Sequence, residues 1–452
     1  MYDLIIIGGG PAGYNAANRA AEGGLKTCVV EKRALGGVCL NEGCVPTKTL
    51  IHSSKVLESA KHASVYGVTV ENATLDHAAV VKRKDKVVKT LVGGVAAQMK
   101  AGNIDVKKEE GVILGRTDEG FEVQAGAEKL VGARLLICTG SEPTLPPIDG
   151  LYDSLANGFA LTNREILDLT EAPKRLAVVG GGVIGLEISS YFNAIGTEVT
   201  VLEMLDHIAG PTEREISEAM KKDFIQKGVK FLLGAQVTSI KDGKVCYKMN
   251  GEDAFVEADK VLVSIGRRAV TKGVGLENIG VLLDRGRIVT DDQLRTNVPG
   301  VWAAGDVNGK IMLAHTAYRE GEVAVNDMLG KKDRMDYLSI PSVIYTHPEV
   351  ASVGETTESA KEKGLDVEIR KVSLRFSGRY LAENEKGQGF LKVIIDKQHK
   401  KILGVHIYGP YASEMIYGCA MMVAREMRVQ DVQKFVFPHP TVGEVIREAL
   451  FG

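Results

Sequence analysis

Two stretches of the chain share one pattern of apolar and polar positions. "YDLIIIGGGPAG" begins with an unbroken apolar run, Leu4 to Ile7. It then breaks at Gly8, Gly10 and Gly13 and continues into the Ala-rich "YNAANRAAEGG". A second short apolar run, "TCVVEK", follows and ends at Glu31. "LAVVGGGVIGLEISSYFNAIGTEVTVLEM" repeats the arrangement with Gly180, Gly182, Gly185 and Glu203. Short continuous apolar runs suit strands buried on both faces, and the segment between them suits a helix. The spacing from first glycine to acid is 31 − 8 = 23 in one copy and 203 − 180 = 23 in the other. Each copy therefore predicts strand, tight turn, helix and strand. Further apolar runs stop at Thr139-Gly140 in "ARLLICTGSEP", at Gly266 in "KVLVSIGRRA" and at Gly305-Asp306 in "TNVPGVWAAGDV". Beyond about residue 338 the pattern changes. "VEIRKVSL", "GFLKVIIDK" and "KILGVHIYG" read as strands of an antiparallel meander, with helices near Ser413 to Glu426 and Val442 to Leu450.

The doubled motif has a mechanical meaning. Its glycines permit a tight turn and close approach of backbone to a pyrophosphate resting on the helix N-terminus, and the distal acid accepts hydrogen bonds from a ribose. Two dinucleotides are expected. An acid in the second copy favours a free ribose hydroxyl, hence NAD. A 2′-phosphate would be repelled, and the residues after Glu203 (Met204, Leu205, Asp206, His207) include no Arg to receive one. Spacing does not assign the first copy, because FAD and NAD share the adenosine-diphosphate cradle. Asp306 at a strand end could hold a polyhydroxyl chain such as ribitol, which favours FAD there. Taken alone, a solvated turn residue is the lesser reading.

Length and composition narrow the class. At 452 residues the chain exceeds one ordinary core, and about 150 residues per domain suggests roughly three domains. A hydrophobic content of 44% with 25% charged residues is that of a soluble globular protein. A net charge of −2 gives no electrostatic reason to expect nucleic acid or an anionic membrane as partner. No apolar run approaches the roughly 18 residues of a membrane span. "MYDLIIIGGG" runs straight into the first strand and leaves no room for a signal or transit segment, so a cytoplasmic chain is expected. Six cysteines are too few and scattered for a secreted disulfide framework.

The cysteines of "GGVCLNEGCVPTK", Cys39 and Cys44, could be buried fillers, metal ligands or a reactive pair. In a regular helix, residues five apart are separated by about 7.5 Å of rise. A disulfide needs Cα atoms about 4.4–6.8 Å apart, so bridging them requires a distorted turn, which Gly43 and Pro46 suit. No second cysteine pair or Cys/His cluster has metal-ligand spacing, and no metal is expected. Cys28 and Cys138 lie in apolar runs and read as fillers; Cys246 and Cys419 have no readable role. "HPTVGE" near the end supplies His439 and Glu444. Thiol–disulfide exchange needs a thiolate, and a free thiol has a pKa of about 8.5. A histidine oriented by a carboxylate could take the proton, although a His beside Pro also reads as a plain turn residue.

With these pieces assembled, the chain resembles, over essentially its whole length, the FAD-dependent pyridine nucleotide–disulfide oxidoreductases. "MLAHTAYREG", "YTHPEVASVG" and "FPHPTVGE" belong to the same resemblance. It implies an α/β fold of two Rossmann-like dinucleotide-binding domains plus an α+β dimerisation domain. The implied boundaries are an FAD-binding part at 1–148, an NAD-binding domain at 149–265, a segment completing the FAD site at 266–337 and an interface domain at 338–452. It implies that Cys39 is the interchange thiol and Cys44 the thiol facing the flavin. Lys48 and Glu187 look like the family's ion pair near the flavin, although Glu187 alone reads as a helix-surface carboxylate. The implied FAD residues are Gly8, Gly10, Gly13, Glu31, Gly37, Lys48, Thr139, Gly140, Asp306 and Ala314, with His315 nearby. Those for NAD are Gly180, Gly182, Gly185, Glu187, Glu203 and Gly266. His439, backed by Glu444, would reach the disulfide of the other subunit, which requires a homodimer.

The substrate expectation follows from what the chain lacks. The acid at Glu203 argues against the NADPH-dependent glutathione and trypanothione reductases. The ending "REALFG" has no cysteine pair, and "HPT" stands where mercuric reductases use tyrosine. Within the family the chain most resembles the dihydrolipoamide dehydrogenases, and the resemblance implies oxidation of dihydrolipoamide as the E3 component of 2-oxoacid dehydrogenase or glycine cleavage complexes. The lipoyl group would arrive on another protein, an E2 or an H protein. One departure stands out: Phe437-Pro438 precede His439, where many of these enzymes read His-Ala. An NADH-dependent reductase of another small disulfide is the alternative reading. A structural component of such a complex is the non-enzymatic one.

Overall fold

The computed structural model describes residues 1–385 and 387–451. The chain forms two compact units, Met1–Thr49 with Val81–Thr144 and Gly266–Met335, and Leu50–Val80 with Leu145–Ile265 and Asp336–Gly452.

The first unit is built on a parallel five-stranded sheet. Its strands run Val301–Ala303, Leu135–Ile137, Leu4–Ile7, Thr27–Val30, Asp105–Lys107 from edge to edge. All four residues of Leu4–Ile7 and of Thr27–Val30 are buried, as an apolar run without alternation requires. The helix Pro11–Glu22 joins these two strands. Its buried face is Ala12, Gly13, Ala16, Ala17 and Ala20, small enough for the helix Ala314–Met328 to pack closely. At the contact a Cβ on Gly321 would lie 2.6 Å from the Ala12 carbonyl oxygen. A three-stranded antiparallel meander, Gly111–Thr117, Gly120–Ala125 and Glu128–Gly132, closes the core through Ile113, Phe121 and Val123. Each such side chain contributes about 1.5–3 kcal/mol by leaving water.

The second unit repeats the scheme. Its parallel sheet runs Lys230–Leu233, Glu198–Glu203, Arg175–Val179, Lys260–Val263, Ala160–Leu161, with the helix Val183–Ala194 joining Arg175–Val179 to Glu198–Glu203. An antiparallel sheet follows, in the order Ser342–Ile344, Val350–Gly354, Ile402–Tyr408, Phe390–Asp396, Val367–Ser373. The three expected strands are consecutive neighbours within it. The helices Ala412–Ala424 and Glu444–Phe451 share its core, and the second starts two residues later than its apolar pattern suggested.

One strand of this sheet carries a buried charge. Leu391, Val393 and Ile395 face the helices, and Lys392 points the other way, where its Nζ donates to Glu213 Oε1 at 2.5 Å. Glu213 also accepts from the Thr357 backbone N–H and hydroxyl, at 2.8 and 2.9 Å. Among the described residues no helix is long and apolar enough to cross a membrane.

Candidate functional site

The two glycine turns are alike in detail. Gly8 has φ +109°, and a Cβ there would lie 2.2 Å from the Cys138 carbonyl oxygen; Gly180 has φ +107°, and its Cβ would lie 2.5 Å from that of Ser264. A Cβ on Gly13 would lie 1.9 Å from the Gly8 oxygen, and one on Gly185 2.2 Å from the Gly180 oxygen. The protein's own backbone thus demands the first and third glycines. The middle ones differ: a Cβ on Gly10 would meet only the Gly37 Cα at 3.7 Å, and one on Gly182 would meet nothing within 4 Å. Space kept clear there suits a ligand that approaches the backbone. Both helices begin without a side-chain cap, so their first N–H groups are offered outward.

The acids repeat the likeness. Glu31 Oε2 accepts from the Gly9 N–H at 2.7 Å and its Oε1 from the Arg33 N–H at 2.7 Å. Glu203 Oε2 accepts from the Gly181 N–H at 2.6 Å and its Oε1 from the Leu205 N–H at 2.8 Å. Each carboxylate is locked beside its turn, and each oxygen keeps a lone pair for a ribose hydroxyl. Glu31 lies just past its strand, which ends at Val30. These features fit two adenosine-diphosphate groups.

Further groups in the first unit extend the first cradle. Gly37, at φ +56°, would place a Cβ 2.7 Å from the Gly10 Cα. Thr139 Oγ1 donates to the Val270 oxygen at 2.6 Å, and Gly140, at φ +71°, opens on empty space. Asp306 is half-buried and accepts from Ser141 Oγ at 2.5 Å, while Arg267 Nε donates to the same hydroxyl at 2.7 Å. It is therefore a fixed group, not a solvated turn residue. Ala314 opens its helix without a side-chain cap. Lys48 stands one helical turn after Cys44. The residues present fit FAD.

In the second unit Glu187 is 3% exposed and its Oε1 accepts from the Tyr345 N–H at 2.9 Å, so it is not the helix-surface carboxylate it resembled in isolation. Gly266 has φ +125° and open space around its missing Cβ.

The cysteines flank the distorted turn that their spacing required. The helix Gly37–Glu42 ends at Gly43, whose backbone leaves the helical region at φ −143°, ψ −113°, and the helix Cys44–Lys61 starts at once. Side chains hold the break: Thr47 Oγ1 donates to the Gly43 oxygen at 2.6 Å, and Asn41 Nδ2 to the Leu35 and Gly37 oxygens at 3.0 and 2.9 Å. Arg33 forks onto buried Glu42 at 3.1 and 2.7 Å. No disulfide joins the two cysteines here; Cys39 is buried and Cys44 half-buried. The bond from Cys39 to the Cys44 sulfur, then burial, hold the Cys39 thiol far above its ordinary range, against an opposing pull from Lys48.

His439 is exposed, and its Nδ1 lies 2.7 Å from Glu444 Oε1. Glu444 Oε2 accepts from the Thr441 N–H at 2.9 Å. The His439 bond, then the Thr441 N–H, hold the Glu444 carboxyl below its usual range. This is a histidine oriented by a carboxylate, not a simple turn residue. Phe437 packs against the C-terminal core, while Phe435 and Val436 are 60% and 95% exposed.

Some groups escaped the sequence reading. Glu320 is fully buried and accepts from the Gly305 N–H at 2.5 Å and from Asn308 Nδ2 at 2.9 Å. Its helical spacing with Thr316, Ala317, Gly321 and Ala324 would have placed it on the inward face. Tyr14 and Tyr318 hydroxyls meet at 2.6 Å, and Asp206 pairs with Arg214 at 3.0 Å. These pairs lie far apart in sequence or outside any periodic pattern.

Residues 2–321 match the family described as pyridine nucleotide-disulphide oxidoreductase, and residues 340–450 match its dimerisation domain. The chain is 38% identical to a dihydrolipoyl dehydrogenase of Chlamydia muridarum, over 99% of this chain and 96% of the relative. It is 39% identical to those of Mycoplasma pneumoniae, over 100% and 99%, and Bacillus subtilis, over 99% and 95%. Among solved structures it resembles LpdA from Mycobacterium tuberculosis, with a TM-score of 0.90, 26% identity and 99% of both chains covered. The flavoprotein disulfide reductase RclA from Escherichia coli gives 0.87 and 26%, covering 100% and 99%.

Proposed function

This chain belongs to the pyridine nucleotide–disulfide oxidoreductases, and we propose that it oxidises dihydrolipoamide to lipoamide with NAD⁺ as acceptor and FAD as resident cofactor. The observation that carries this reading is a cysteine pair held across the Gly43 break in a chain whose second dinucleotide turn ends on a ribose-accepting carboxylate.

In the first unit, Gly8, Gly10, Gly13, Glu31, Gly37, Lys48, Thr139, Gly140, Asp306 and Ala314 would hold FAD. In the second, Gly180, Gly182, Gly185, Glu187 and Glu203 would hold NAD; Gly266 is the remaining residue that the family resemblance assigns to NAD. Bound FAD supplies the two-electron transfer that links the reduced cysteine pair to NAD⁺. The remaining chemistry belongs to the side chains. His439 of a second subunit takes the proton from one substrate thiol, and the thiolate attacks Cys39 Sγ. The Cys39–Cys44 bond breaks and leaves Cys44 as a thiolate. The second substrate thiol attacks the substrate sulfur bound to Cys39, closes the dithiolane ring and releases Cys39, which takes up that thiol's proton. Glu444 holds the imidazole in position and stabilises its charged form, and Lys48 favours negative charge at the cysteine pair.

A base drawn from a second subunit makes the homodimer the working unit, and the dimerisation domain at 340–450 supports this. The lipoyl group would be carried by an E2 or H protein. We place the activity in the cytoplasm, where free thiols persist. The test is NADH formation by the FAD-loaded protein with dihydrolipoamide, alongside NADP⁺ as acceptor. Turnover with NAD⁺ and little with NADP⁺ is expected. The departure at Phe437-Pro438 before His439, with Phe437 packed against the C-terminal core, favours a second reading. NADH-driven reduction of another small disulfide, without dihydrolipoamide turnover, would select that reading.

A further inference from the structure

One peptide of the second glycine turn is pinned from outside the turn. The Gly181 oxygen accepts from the Ala209 N–H at 2.8 Å. A trans peptide is planar, so fixing that oxygen also points the Gly182 N–H the opposite way. Gly182 is the cap of the helix Val183–Ala194, where the turn keeps its clear space. Ala209 makes this bond from φ +64°, a left-handed conformation that a residue with a side chain rarely adopts. Such a conformation persists only where its surroundings impose it. Here Thr212 Oγ1 donates to the Ala209 oxygen and Ser217 Oγ to the Ile208 oxygen, both at 2.8 Å. The Glu213 backbone oxygen accepts from the Ile216 and Ser217 N–H groups at 3.0 and 3.1 Å and so starts the helix Arg214–Gln226.

The far end of this segment is fastened to the antiparallel sheet. Glu213 is 1% exposed and commits both its carboxylate oxygens there, to Lys392 and Thr357. Lys371 and Lys392 lie directly opposite each other on neighbouring strands, hence on one face. Lys371 pairs with Glu215, which Lys392 also reaches at 3.2 Å. Two acids at the start of the helix thus dock on two lysines of the sheet. A buried ion pair is no more stabilising than well-packed apolar side chains, but it admits fewer arrangements. We propose that Glu213 and Lys392 are positioning residues for the dinucleotide. Through Ala209 they hold the Gly181–Gly182 peptide in the orientation that receives a pyrophosphate. Lys392 lies within the dimerisation domain at 340–450, so that domain shapes the nucleotide turn. The inference rests on the second turn being the NAD site.

The probe is ADP-ribose, titrated by calorimetry into the FAD-loaded protein, with NADH reduction of the flavin as a kinetic readout. Neither measurement involves dihydrolipoamide. Glu213→Gln should weaken ADP-ribose binding by about three- to tenfold. The NADH concentration that half-saturates flavin reduction should rise with it, and the limiting rate should change less. Ala209→Gly in the Glu213→Gln protein should restore part of the affinity, because glycine takes φ +64° unaided. Glu213→Leu with Lys392→Met strands no charge. Its Tm should lie nearer wild type than that of Glu213→Gln, while ADP-ribose binding stays weak. Wild-type affinity in both Glu213 variants, or a loss that Ala209→Gly leaves untouched, overturns the proposal. So does an affinity that simply follows Tm across the set. A wild type that does not bind ADP-ribose overturns the NAD reading itself.

Discussion

Gly10→Ala separates what the fold needs from what the ligand needs. Gly10 sits at φ −75°, ψ −170°, a conformation that alanine adopts. Its new Cβ would meet only the Gly37 Cα, at 3.7 Å, an ordinary contact. Alanine is a poor N-cap, so the apoprotein should lose about 1 kcal/mol at most. A dinucleotide pyrophosphate crossing that backbone would instead be met by an extra methyl. Overpacking by one such group costs about 1–3 kcal/mol, which is about five- to 150-fold in Kd. The assay is fluorescence titration of apoprotein with FAD, beside a thermal melt of the apoprotein. Gly13→Ala is the contrast: its Cβ would lie 1.9 Å from the Gly8 oxygen, and the variant should not fold. Gly182→Ala, with nothing within 4 Å, should keep FAD and weaken only NAD. FAD affinity equal to wild type in Gly10→Ala would refute the assignment of the first turn.

Glu444→Gln should lower kcat with dihydrolipoamide by about ten- to a hundredfold while FAD content stays unchanged, since it removes the orienting carboxylate and leaves the base. Glu213→Gln should destabilise the protein by about 1–3 kcal/mol, read as a fall in Tm, because buried Lys392 loses its shorter ion pair and keeps Glu215 at 3.2 Å. Burial alone would raise the Glu213 carboxyl, but Lys392 and Thr357 outweigh it and hold it below its ordinary 4.5. A depressed carboxyl stabilises above its unfolded pKa, so the wild-type advantage should persist above pH 4.5 and narrow as pH falls further. Burial holds His406 below its ordinary 6.5, against Glu355, Glu213 and Glu358, which raise it, and with Lys392, which lowers it further. Its Nδ1 has no hydrogen-bond partner among the described residues, so the neutral ring is the stable form and wild-type Tm should fall as pH drops below 6.5. His406→Gln should flatten that slope.

Both dinucleotide folds were legible because strand, turn and helix lie within one short stretch and the glycine requirement is local. Gly8, Gly13, Gly180 and Gly185 are each excluded from carrying a side chain by backbone a few residues away or on the next strand. The cysteine spacing announced a broken helix, and Gly43 breaks it. What escaped was set by tertiary packing. Glu187 looked like a surface residue until the Tyr345 backbone, 158 positions away, was seen to cover it. Lys392 sits in "GFLKVIIDK" as if on a half-exposed strand, but the strand is buried on both faces and needs Glu213. The Asp206–Arg214 pair was not legible because it joins the loop after Glu203 to a helix that starts eight positions further along, and only the fold brings the two together.

The most direct test of the dithiol chemistry is to trap the exchange. Reduced Cys44→Ser protein is mixed with lipoamide, and the thiol freed by ring opening is alkylated so that the ring cannot reclose. The peptide carrying Cys39 is then weighed by mass spectrometry. The account predicts one lipoamide in disulfide linkage at Cys39, absent from Cys39→Ser protein. Lipoamide attached at Cys44 in the Cys39→Ser protein, or no adduct in either, would contradict it.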